Sequence, residues 1–178
     1  CLNGIELTDR KVLQDSEIDL SELAKRGANM FLQMIFRDGF YHADPHPGNV
    51  MVLPGAVIGL LDCGMVGRVD EELREQIEDL LIAAIDRDSK RLQECVVELG
   101  NVPTDFDRAM LQNDLVNFVD DYAGQSLDDF NLSGSLNEMI EIIRQHHILL
   151  PTKVSLLIKM LVMLEGTAQQ LSPDFNII

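Results

Sequence analysis

The sequence predicts a mainly α-helical fold carrying one small β-hairpin, on three observations. Apolar residues recur at helical spacing through most of the chain beyond residue 70. Two short β-prone runs, 50–53 and 57–61, flank Pro54-Gly55. One helical pattern, 20–37, precedes them. Helical content well above the ~30–35% of ordinary globular proteins is expected.

Residues 1–7 read as a strand end or linker. Asp19 is placed to cap the 20–37 helix, because its carboxylate can accept from the first free N–H groups. Leu23, Met30, Phe31, Met34 and Ile35 repeat at helical spacing, and Gly39 ends the helix. Residues 42–49 read as a loop, since two prolines and a glycine cannot continue a helix. The hairpin follows, with Asn49 and Asp62 at its outer ends, so residues thirteen apart return to one place. Ile58, Leu60 and Leu61 put Asp62 at the end of a buried strand, where a carboxylate needs a cation or several donors.

Asp70 caps a helix to about Asp86, with Glu71 and Glu72 favourable beside its positive end. A second helix runs to Leu99 and stops at Gly100. Thr104 with Asp107 starts a third, to about Tyr122. Residues 124–135 read as a loop and 136–146 as a helix. Pro151 opens a last helix to about Leu171. Its most apolar part, 154–164, is broken by Lys159 and is shorter than the ~20 apolar residues a bilayer span needs, so it reads as a buried helix.

At 178 residues the chain is one domain or part of one, and its 46% hydrophobic content can support a core. Asp+Glu number 30 against 14 Lys+Arg, a formal charge of -16. Such a chain repels phosphate backbones, which argues against nucleic acid as a partner, and it gains nothing from anionic membrane surfaces. Cys1, Cys63 and Cys95 have neither paired nor metal-type spacing and imply a reducing compartment. No leader peptide is visible. The first residue is not Met, so a longer native chain is expected.

The chemistry concentrates in His42-Ala43-Asp44-Pro45-His46-Pro47-Gly48-Asn49 and Asp62-Cys63-Gly64. Phosphoryl transfer from a metal nucleotide needs one oxygen-bearing side chain to orient the attacking hydroxyl and two to hold Mg²⁺. Asn and Asp oxygens suit that ion. Asp44, then Asn49 five positions on, then Asp62 before Gly64, follow the order and spacing of the kinase catalytic loop and D-x-G motif. Asp44 is therefore the candidate catalytic residue. Asn49 and Asp62 are the candidate metal ligands and, with His46, the candidate cofactor-binding residues. His46 either contacts a transferred phosphate or orders the loop. His42 is expected to bond backbone near the Asp62 turn. His146-His147 is not a metal pair, because adjacent helical residues diverge, and is expected to serve a helix end.

These motifs resemble the ABC1/UbiB/ADCK family of atypical kinases. Gly39-Phe40-Tyr41 leading into 42–49, then Leu60 to Arg68, and later Leu164-Glu165-Gly166 and Leu171-Ser172-Pro173-Asp174-Phe175-Asn176, carry the resemblance along nearly the whole chain. Cys63 departs from the usual Phe. The resemblance implies a protein-kinase-like C-lobe over 1–178, with catalytic loop 42–49, metal loop 62–64 and a helical remainder 70–171. It implies ATP and Mg²⁺ as cofactors. It also implies a partner N-lobe of the same chain, because no G-x-G-x-x-G and no V-A-x-K occur here. On that reading the stretch alone binds Mg²⁺ weakly and turns over little.

The family implies a role in isoprenoid quinone or membrane-lipid metabolism, with a lipid or quinone precursor as substrate. It places the protein in the bacterial cytoplasm, a mitochondrion or a plastid; membrane association is left open and is encoded by no residue here. The enzymatic alternative is a small-molecule phosphotransferase of the aminoglycoside or choline kinase type. The non-catalytic alternative is a nucleotide-binding pseudokinase scaffold. A long activation segment is absent after Gly64, which argues against peptide docking there.

Overall fold

The computed structural model describes residues 3–123 and 131–176. Their contacts fall into two compact units, Cys1–Arg68 with Leu156–Ile177, and Val69–Ser155. The described chain is mostly helical, with two small antiparallel sheets.

In the first unit, β1 (Ile5–Glu6) pairs with β3 (Val50–Leu53), and β3 pairs with β4 (Val57–Leu60), in the order β1-β3-β4. Alternation in β3 buries Val50 and Val52 and leaves Met51 and Leu53 half-buried. The β3–β4 turn is Pro54-Gly55-Ala56, with Gly55 and Ala56 both left-handed at φ 80° and 56°. A short helix α1 (Arg10–Gln14), not expected from the sequence, buries Leu13. Helix α2 (Leu20–Phe36) begins where expected, with the Asp19 carboxylate accepting from the N–H groups of Ser21 and Glu22 at 3.0 Å each. It buries Leu23, Ala24, Ala28, Phe31 and Ile35, while Met30 and Met34 are half-buried. Gly39, at φ 62°, then turns the chain into β2 (Phe40–His42).

Strand β2 pairs antiparallel with β5 (Val66–Arg68), opposing Tyr41 to Gly67. Tyr41 is 1% exposed and its ring lies where a Cβ on residue 67 would stand, so only Gly fits there. The 42–49 run is thus not wholly loop: His42 closes β2, and Pro47–Asn49 forms a 3₁₀ turn capped by His46.

The second unit holds α3 (Glu71–Ile85), α4 (Ser89–Leu99), α5 (Arg108–Ala123) and α6 (Leu132–Gln145), each packed on the next. Leu92, Val96, Leu111, Leu115, Ile142 and Ile143 form the centre of its core. Asp70 caps α3 through the Leu73 N–H at 2.9 Å and binds Lys153 Nζ at 3.1 Å. The expected start at Thr104 is corrected: Asp107 receives the Ala109 and Met110 N–H groups, and the helix begins at Arg108. Asp suits this position because its short carboxylate accepts from two consecutive N–H groups of the first turn at once. The expected loop over 124–135 is corrected at its end. Asn131 accepts from the Gly134 N–H at 2.7 Å, so Leu132–Ser135 are already helical. Residues 124–130 lie outside the described residues.

His146 ends α6, and its Nε2 lies 2.7 Å from Asp114 Oδ2. Tyr122 donates to Glu138 at 2.9 Å, and burial together with that carboxylate pushes its phenol up to about 12. Helix α7 (Thr152–Leu171) starts after Pro151, as its missing N–H favours. Among the described residues no helix is long and apolar enough to cross a membrane.

Candidate functional site

A network of hydrogen bonds builds the site around Asp44, and it lies in the first unit. His42 is 4% exposed and fixes two segments with one ring. Its Nδ1 accepts from the Asp44 N–H at 3.2 Å, which puts the ring proton on Nε2. Nε2–H then donates to the carbonyls of Leu61 and Asp62, at 3.0 and 3.1 Å. His42 therefore performs the backbone role expected of it. The Ala43 N–H donates to the Met65 carbonyl at 3.0 Å, continuing the β2–β5 pairing past the strand.

Asn49 closes the loop from its other end. Its Nδ2 donates to the Asp44 carbonyl at 3.1 Å and to Asp44 Oδ2 at 3.0 Å. Both amide hydrogens are thereby committed, and the amide oxygen is the acceptor that Asn49 has left to offer. Flipping the amide would set its oxygen against two acceptors, so this orientation is the one the neighbours dictate.

The hairpin brings Asp62 to the same place. The Leu61 N–H donates to the Asn49 carbonyl at 2.8 Å, one step beyond the β3–β4 pairs, and Asp62 follows directly. One expectation is corrected here. Asp62 is exposed, not seated at the end of a buried strand. Strand β4 lies at the edge of its sheet, and its residues are half-buried or exposed. Desolvation therefore gives no argument for a cation at Asp62. Backbone geometry marks the residue in a different way. Asp62 is left-handed at φ 47°, a conformation uncommon outside glycine, and its Oδ1 accepts from the Gly64 N–H at 3.3 Å. Such conformations cluster at functional sites.

His46 is exposed and its Nδ1 accepts from the Gly48 N–H at 3.1 Å. One ring nitrogen thus orders the loop, and Nε2 is left toward solvent. The described residues contain no cluster of three His, Cys, Asp or Glu side chains fit to hold a metal. The donor set here is mixed: the amide oxygen of Asn49 and the carboxylates of Asp44 and Asp62. Hard oxygens of this kind fit Mg²⁺, which takes few protein ligands and keeps several waters. Sequence reasoning missed one contact at the site. Thr167 Oγ1 donates to the Pro45 carbonyl at 3.0 Å from 122 residues away, and no local pattern around a helical Thr signals it.

Two family models match parts of this chain. The model of the ABC1 atypical kinase-like domain matches residues 1–96 of 178, a span holding Asp44, Asn49 and Asp62. The chain belongs to the ABC1 atypical kinase-like family. The model of the UbiB helical domain matches residues 115–176. Among relatives in this family, an uncharacterized protein of Synechocystis is 34% identical over 170 residues, covering 93% of this chain and 42% of its own length. A probable protein kinase UbiB of Shewanella halifaxensis is 30% identical over 180 residues, covering 99% of this chain and 33% of its own. One from Histophilus somni is 29% identical over 179 residues, covering 98% and 33%. The chain thus spans about a third to two-fifths of the length of these relatives. None of the relatives named here is an aminoglycoside or choline kinase.

Proposed function

We propose that this chain forms the C-lobe-like, metal-holding part of an ATP-dependent phosphotransferase or ATPase. The observation that carries the reading is the bonded pair Asp44–Asn49 on one loop, with Asp62 brought beside Asn49 by the hairpin ladder. Asn49 Oδ1 and the Asp62 carboxylate would hold Mg²⁺, which supplies charge neutralisation on the phosphates when bound. Asp44 would orient the attacking hydroxyl or water and take its proton as the new oxygen–phosphorus bond forms at the γ-phosphorus and the bond to the β–γ bridging oxygen breaks, releasing ADP. Its Oδ2 is anchored by Asn49 and its other oxygen is left for that task. His46 Nε2 is free to reach a phosphate oxygen, while Nδ1 keeps the loop in place.

The loop that covers the phosphates and the Lys that pairs with them would come from elsewhere in a longer protein. The name UbiB among the relatives supports a role in isoprenoid quinone or membrane-lipid metabolism. The test is steady-state ATP turnover by the full-length protein and its Asp62→Asn variant. Turnover should fall by at least ~100-fold, the range for losing a charge-stabilising group. Unchanged turnover would remove Asp62 from the site. Tight nucleotide binding with no turnover in the wild type would make the protein a pseudokinase.

A further inference from the structure

We propose that Thr167 is a positioning residue for Asp44, acting through the carbonyl of Pro45. The proposal rests on the reading of Asp44 given above. Pro45 is among the most fully buried side chains of the molecule, and its only backbone polar group is its carbonyl. Around it lie Leu23, Ala24, Phe31, Val50 and Leu164, which line an apolar void of about 30 Å³. None of these side chains can donate a hydrogen bond. Thr167, 8% exposed on α7, donates to that carbonyl at 3.0 Å. A hydroxyl has one proton, so a helical Thr that gives it to Pro45 forgoes the usual bond to its own preceding turn.

The consequence is backbone placement. The proline ring fixes φ of residue 45, and a donor on its carbonyl fixes ψ. A proline also restricts the residue before it, here Asp44. Asp44 is then held at three consecutive points: its N–H by His42, its carbonyl by Asn49 and the next carbonyl by Thr167. The first two anchors lie within five residues of Asp44 in sequence, His42 at the end of β2 and Asn49 just before β3. Thr167 stands on a long helix and ties the loop to the body of the unit.

The experiment uses the full-length protein carrying Thr167→Val, which keeps the shape and removes the donor, and Thr167→Ser, which keeps the donor. Two readouts are taken: kcat and KM for ATP, and amide hydrogen exchange over residues 42–50. Thr167→Val should lower kcat by about 10- to 100-fold with KM for ATP within about twofold, the signature of misplaced geometry with binding intact. Exchange over 42–50 should rise by about tenfold or more, on the loss of one anchor of a local opening unit. Thr167→Ser should restore both to within about threefold.

Wild-type kcat in a folded Thr167→Val protein overturns the proposal, as does a Thr167→Ser protein impaired equally. A parallel rise in KM and fall in kcat also overturns it, since that is general loosening. Should Thr167→Val not fold, Thr167→Ser decides alone: exchange over 42–50 more than about threefold faster than in wild type sinks the idea. Asp44→Asn runs beside them. If it turns over normally, the reading of Asp44 fails, and the exchange data still decide whether Thr167 holds the loop.

Discussion

The segment 42–64 and the helical unit Val69–Ser155 are held in different ways. In the helical unit the core is apolar: Leu92, Val96, Leu111 and Leu115 are all 0% exposed. Its helices open on side-chain caps, as at Asp70, Asp88 and Asn131. In 42–64 the candidate chemistry is half-buried or exposed, and it is fixed by side chains bonded to backbone both nearby and far along the chain. Burial alone cannot hold Asp44 or Asp62 where they are, because neither is buried. The difference teaches that the site's geometry depends on a few directional bonds. The helical unit depends on volume, spread over many contacts.

That contrast can be broken in four ways, from the largest effect to the smallest. Asp44→Asn should lower ATP turnover of the full-length protein by about 10²- to 10⁴-fold, the usual worth of a positioned acid–base group. Its melting temperature should stay close to wild type, because the amide can still receive the Asn49 N–H. Leu115→Ala should destabilise by about 2–5 kcal/mol in urea titration, as emptying a packed core position does. Nucleotide affinity at low temperature should be unchanged in that variant, so a large loss of affinity would erase the contrast.

His42→Ala removes three bonds from a buried ring and should lower stability by about 1–3 kcal/mol, the cost of orphaned backbone groups. Unlike Leu115→Ala, it should also lower turnover in the fraction that stays folded. Acid sensitivity is the smallest effect. The Leu73 N–H and Lys153 hold Asp70 below the usual carboxylate range, and Arg144 with Gln145 brings Glu141 down to about 2. A depressed folded pKa contributes stability above the unfolded value, near ~4, that is lost as pH falls through the folded one. Melting temperature should therefore decline from about pH 4 toward pH 2, and less steeply in Glu141→Gln. An equal slope would show that Glu141 takes no part.

Much of this was legible in the sequence because the signals are local. Asp19 and Asp70 cap their helices, Gly39 ends α2, and Val50 to Leu60 folds back on itself. The three candidate site residues could be chosen from spacing alone, and the hairpin shows how thirteen residues return to one place. The failures are non-local or competitive. The β2–β5 pairing joins two three-residue strands, too short for alternation to register. At residues 104–107, two good capping residues competed and Asp107 won. The exposure of Asp62 depends on β4 being an edge strand, which no property of β4 reveals. The Thr167–Pro45 bond joins residues that no sequence window contains.

The central claim is that Asp44, Asn49 and Asp62 face one Mg²⁺-nucleotide. Calorimetric titration of the full-length protein with ATP, with and without Mg²⁺, tests it most directly, using Asp62→Asn as the comparison. The account predicts Mg²⁺-dependent binding in the wild type and a loss of the Mg²⁺ dependence in the variant. Equal ATP binding by both proteins, indifferent to Mg²⁺, would contradict it.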